Sequence, residues 1–157
     1  MKKLTAMLLG LFVLFGANSL AAQNSVTATG NVSITIGSIA YINVPSPDVA
    51  FNNPTNTDFA TGYIDANNTV AVQYGSNAPH DLQIQLDQLG GKAVSDLEWS
   101  VDGGSSWTPM TTAAVNMVSQ PAGGQENATV NFRMLLNWAT DAAGTYSGQL
   151  TYTVVAN

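Results

Sequence analysis

The sequence predicts an all-β chain folded as an antiparallel sandwich. Three observations carry that expectation. Apolar residues alternate with polar ones in segment after segment, the period of an extended strand with one buried face. Clusters of Gly, Pro, Asn, Asp and Ser separate those segments at short intervals. Beyond the first 22 residues no window has the 3.6-residue spacing of an amphipathic helix. Hydrophobic residues make up 45% of the 157 and charged residues 9%, enough apolar surface for a core and too little charge for a disordered chain.

The elements follow in order. "MKKLTAMLLGLFVLFGANSLAAQ" opens with Lys2 and Lys3, continues with an apolar run from Leu4 to Phe15 and ends in small residues. This is the three-part layout of a secretory signal peptide, residues 1–22, with cleavage expected after Ala21 or Ala22. The run is too short for a membrane span, and no cysteine follows it to carry a lipid anchor. Export to the cell surface or the medium, with passage through a periplasm, is the expectation. No membrane span is expected after cleavage.

"SVTATGNVSITI" follows, with Val26, Ala28, Gly30, Val32, Ile34 and Ile36 on one face. As a strand it would reach roughly 40 Å, about twice the ordinary length. It would either pair within its own sandwich, kinking at Gly30 to cross between sheets, or leave the domain and complete the sheet of a neighbouring copy. Ile39, Tyr41 and Val44 extend the pattern to Pro45 and Pro47. Residues 45–68 are irregular and rich in Asn, Thr, Asp and Pro, with Phe51, Phe59 and Tyr63 as anchors; a long, partly stranded loop over a sheet edge is expected there. Further strands are expected in "TVAVQY", "DLQIQLD", "LEWSV", "AAVNMV", "ATVNFRMLLNW" and "GTYSGQLTYTVV". Eight to ten strands at this spacing read as one antiparallel β-sandwich, immunoglobulin-like in the broad sense, over residues 23–157.

Signal cleavage would leave Lys92 and Arg133 against ten acids, a net charge of −8. Such a surface repels nucleic acid and anionic lipid. The absence of cysteine removes disulfides, thiolate metal sites and a cysteine nucleophile from consideration.

Catalytic constellations are equally scarce. His80 is the one histidine and stands in the turn "NAPHD", where a solvated or capping role is expected. Asp96 and Glu98, two residues apart, would share a strand face as any solvated pair does. Asp48, Asp58 and Asp65 lack the spacing of an EF-hand. No enzyme activity, cofactor or metal is expected.

"SVDGGSSW" is the sharpest local motif. Ser100, Asp102, Gly104 and Trp107 fit S-x-D-x-G-x-x-W and resemble the Asp-box hairpin of sialidases and other secreted carbohydrate-active proteins. A single copy in so short a chain implies a stiff hairpin and not a propeller. A two-residue turn at Gly103-Gly104 would place Trp99 opposite Thr108 and turn Trp99 and Trp107 to opposite faces.

The chain ends also resemble those of bacterial fimbrial subunits, which are incomplete immunoglobulin-like sandwiches completed by a donor strand from a neighbour. The likeness rests on the alternating face Val26, Ala28, Gly30, Val32, Ile34, Ile36 and on Gly144, fourteenth from the end, before the last alternating run. The chain departs from those subunits in lacking a disulfide pair and in carrying Ala156 as its penultimate residue. The resemblance implies an exported structural or adhesive subunit whose partners are other copies of itself or related surface subunits, joined by β-strand addition. The alternative is a monomeric secreted module that binds a glycan or a host or matrix protein.

Overall fold

A computed structural model describes residues 31–157. The signal-peptide expectation and Val26, Ala28 and Gly30 lie outside them. Residues 31–35, taken by themselves, carry no regular secondary structure. Ile36–Asn157 forms a compact unit of its own.

That unit is an all-β sandwich of two antiparallel sheets. Its nine strands are β1 (Ala40–Asn43), β2 (Tyr63–Asp65), β3 (Val70–Ser76), β4 (His80–Leu86), β5 (Leu97–Ser100), β6 (Thr108–Pro109), β7 (Val115–Gln120), β8 (Gly123–Leu135) and β9 (Leu150–Ala156). The larger sheet runs β1-β3-β8-β5-β6; the smaller runs β7-β4-β9. β2 and β3 lie end to end along β8, with Asp65 opposite Arg133 and Val70 opposite Val130.

Alternation decides which side chains meet between the sheets. Val70, Val72 and Tyr74 of β3, Val130 and Phe132 of β8, and Leu97 and Trp99 of β5 face Leu82, Ile84 and Leu86 of β4 in one buried cluster. Leu150, Tyr152 and Val154 of β9 pack on that cluster only half-buried. Each fully enclosed aliphatic or aromatic side chain contributes about 1.5–3 kcal/mol by leaving water, which is what a cysteine-free domain has to rely on.

Three details differ from the sequence expectation. Asn56–Thr61 is a short helix, α1. Thr55 and Asp58 form a reciprocal capping box, with the Asp58 carboxylate accepting from the Thr55 amide at 2.7 Å and Thr55 Oγ1 accepting from the Asp58 amide at 3.4 Å. Gly62 closes the last turn by donating to the Asp58 carbonyl.

β8 begins at Gly123, inside the expected turn "QPAGGQEN", because Gln125 and Gly123 continue the ladder opposite Gly75 and Ser76 of β3, with Gly124 the extra residue of a bulge between them. A side chain at Gly75 would collide with the Gly124 carbonyl, so this pairing requires glycine there. β9 begins at Leu150 and not at Gly144; residues 144–149 are an irregular approach to the strand.

The long connection from β8 to β9 is fastened at three points. Phe59 of α1 stacks on Trp138 with ring centroids 4.3 Å apart. The Asp87 carboxylate accepts from the Gln149 amide at 2.6 Å. Lys92 donates to Asp141 at 2.5 Å.

Candidate functional site: an open sheet edge

β9 is hydrogen-bonded along its whole length to β4, from Leu86 opposite Leu150 to His80 opposite Ala156. It has no strand on its other side among the described residues. β1 pairs only with β3 and ends the larger sheet. The two strands approach one another but do not pair, so this flank of the sandwich presents two free edges. Alternate amides and carbonyls of a seven-residue strand point outward unpaired, a template for another extended chain.

Side chains at the same flank are poorly covered. Ile42 of β1 and Val155 of β9 are exposed. The Tyr152 hydroxyl is buried without a hydrogen-bond partner, and burial pushes its pKa up, keeping it neutral at any ordinary pH. At the end of the flank where β9 begins, a cavity of about 540 Å³ opens between the sheets. Val49, Phe51, Leu86, Leu97, Met134 and Leu150 give it apolar walls.

The described half of the long alternating segment is as exposed as side chains become: Val32 is 98% exposed, Ile34 81% and Ile36 71%. The expected strand is absent over residues 31–39, which carry no ladder. Asn77, in the turn between β3 and β4, holds its last residues. The Asn77 carboxamide accepts from the Ile39 amide at 2.7 Å and donates to the Gly37 carbonyl at 2.8 Å.

The Asp-box residues converge in one turn at the end of β5. Asp102 accepts from Ser100 Oγ at 2.6 Å, from the amides of Ser105 and Ser106 at 2.9 and 3.0 Å, and from Ser106 Oγ. The Ser100 hydroxyl first, and then the Ser106 contacts, hold its carboxyl far below the usual carboxylate range. Gly103 and Gly104 take φ of 73° and 87°, as the turn requires. Trp99 pairs with Thr108 and lies in the core. Trp107 packs under Arg133, whose guanidinium stands 4.5 Å from its ring. The two tryptophans therefore form no common platform.

The remaining sequence candidates separate. His80 is buried, not solvated; it is the first inward residue of β4, its Nδ1 lies 3.0 Å from the Ala78 carbonyl, and its ring meets the edge of Tyr74. Asp96 and Glu98 do not share a face. Asp96 belongs to a 3-10 turn and bridges to Lys92 at 3.2 Å, whereas Glu98 accepts from Arg133 across the sheet at 2.6 Å. Asp58 serves the α1 cap, and the Asp48 carbonyl accepts from Asn68. Among the described residues no three His, Cys, Asp or Glu side chains converge as metal ligands, and no helix is long and apolar enough to cross a membrane.

Sequence reasoning passed over Lys92 and Asp141. They stand 49 positions apart, and no local spacing signals their meeting. Comparison with protein-family models and with curated proteins yields no match.

Proposed function

We propose that this chain is an exported structural subunit that joins to other copies of itself, or to related surface subunits, by β-strand addition. In this reading residues 26–36 of one copy lie along the free edge of β9 in the next. Val26, Ala28, Val32 and Ile34 turn toward the half-buried row Leu150, Tyr152 and Val154, while Gly30 marks a position where the receiving groove is shallow. The observation that carries the reading is the β9 edge, unpaired among the described residues, in a chain that also holds an exposed, alternating Val/Ile segment. Backbone hydrogen bonds would supply affinity, and alternate side-chain pockets would supply register. The protein then acts through shape and sheet edges, not by turning over a substrate.

Removing residues 25–36 tests this. Electron microscopy and sizing of the truncated chain should show only monomers where the full chain forms end-to-end assemblies. Adding a synthetic peptide of residues 25–36 to the truncated chain should raise its Tm. Filaments that persist after truncation overturn the reading, as does a Tm that the peptide leaves unchanged.

A further inference from the structure

We propose that Lys92 and Asp141 condense into an intramolecular amide bond, with Asp96 moving the proton. The reacting groups are already paired: Lys92 Nζ lies 2.5 Å from Asp141 Oδ1 and 3.2 Å from Asp96 Oδ2. Both partners are withdrawn from water, with side chains 5% and 7% exposed. The Tyr146 ring stands 5.8 Å from the same nitrogen, and its hydroxyl is turned away to the Ala142 carbonyl. One ammonium thus faces two carboxylates in a largely dry site, where holding ions apart from solvent is costly. Condensation removes one ammonium and one carboxylate together.

The geometry divides the labour between the two oxygens of Asp141. Oδ2 accepts from the Asn137 amide at 2.9 Å, so a donor already sits where negative charge develops when the carbonyl carbon becomes tetrahedral. Oδ1 faces Lys92 and has Thr140 Oγ1 at 3.5 Å. A proton passes from the ammonium to Oδ1 within the ion pair, leaving an amine and a carboxylic acid. The Nζ lone pair attacks Asp141 Cγ, and the Asp96 carboxylate takes a second proton from nitrogen. The Cγ–Oδ1 bond breaks as Asp96 returns that proton to the departing hydroxyl. One amide and one water result, Asp96 is again a carboxylate, and no oxidant or further reactant enters. Fixed positions of nucleophile, acid and shuttle make the step effectively unimolecular.

Sequence context fits such a staple. The chain is cysteine-free, so no disulfide can cross-link it, and the bond would tie the irregular approach to β9 to the loop between β4 and β5. The inference does not depend on strand addition, because it is read on the monomer.

Mass spectrometry of the denatured full chain decides it. Trypsin cuts after Arg133 but not at an acylated lysine. The expected digest therefore keeps residues 134–157 covalently joined to the fragment containing Lys92, lighter than the sum of its parts by one water. A free 134–157 peptide of full mass, together with cleavage after Lys92, shows an ordinary ion pair and overturns the proposal. Asp96→Ala tests the shuttle. The variant should fold, judged by an unchanged far-ultraviolet β signal, and should lose no water. Complete cross-linking in that variant overturns the role given to Asp96. Should Asp96→Ala not fold, Asp96→Asn replaces it with the same readout.

Discussion

The Tyr152 hydroxyl is an uncompensated polar group on a half-buried row. Leaving such a group dry costs about 1–3 kcal/mol in the isolated chain, so Tyr152→Phe should be neutral or stabilising by up to about 1 kcal/mol. The midpoint of urea unfolding of the monomer checks this. A loss above about 2 kcal/mol would mean that the hydroxyl has a partner in the folded monomer. His80 shows how one residue's environment was legible yet overlooked. Its neighbours "NAP" read as a turn, but it shares parity with Leu82, Ile84 and Leu86, and that parity puts it inside. The tryptophans went the other way: the Gly103-Gly104 turn fixes the register that sends Trp99 inward and Trp107 outward.

The connection between β8 and β9 depends on the contact between Lys92 and Asp141. Burial raises the Asp141 carboxyl, but hydrogen bonds from Lys92 and the Asn137 amide, with the charge of Lys92, outweigh it and hold the carboxyl below its usual range. A depressed carboxyl contributes stability above its unfolded pKa and loses it as pH falls through the folded value. An ion pair there should weaken as pH drops below about 4, whereas an amide bond does not titrate. Asp141→Ala should cost about 3 kcal/mol, since it leaves a buried ammonium with only the more exposed Asp96 as partner, and Lys92→Met added to it should recover much of that loss. A closed loop of 49 positions adds about 4 kcal/mol by chain entropy if the bond forms. Thermal unfolding at pH 3 and pH 7 of the parent and both variants reads all of these. A double variant no more stable than Asp141→Ala alone would show that the under-compensated ammonium is not the source of the loss.

At this same scale the central strands were plain in the sequence, because β3, β4 and the second half of β8 each alternate against a shared core. The first half of β8 was not. Its "GGQEN" has no apolar face, and only the ladder supplied by β3 makes it a strand. The α1 helix was signalled by Thr55-x-x-Asp58, although six residues are too few for apolar periodicity to register.

The unit formed by Ile36–Asn157 has a closed core and, among the described residues, an open flank. Val70, Val72, Leu82, Ile84 and Val130 are wholly enclosed, whereas among the described residues β9 keeps one edge free and Val32, Ile34 and Ile36 are exposed. Proteins rarely leave a long free edge and an alternating Val/Ile segment uncovered, because each invites pairing with another chain. If the two features serve each other between copies, charge on the segment should abolish assembly and leave the fold intact. Val32→Asp with Ile34→Asp removes two apolar contacts per junction and would force two carboxylates toward an apolar row, a burial cost of several kcal/mol. In the free monomer the same two positions face solvent, where surface substitutions change stability by no more than about 0.5 kcal/mol. The expected result is therefore a monomeric variant by sizing whose Tm matches that of the monomeric truncated chain. Assembly undiminished by both aspartates would place the contact between copies somewhere other than this segment, and β9 would then need a different partner.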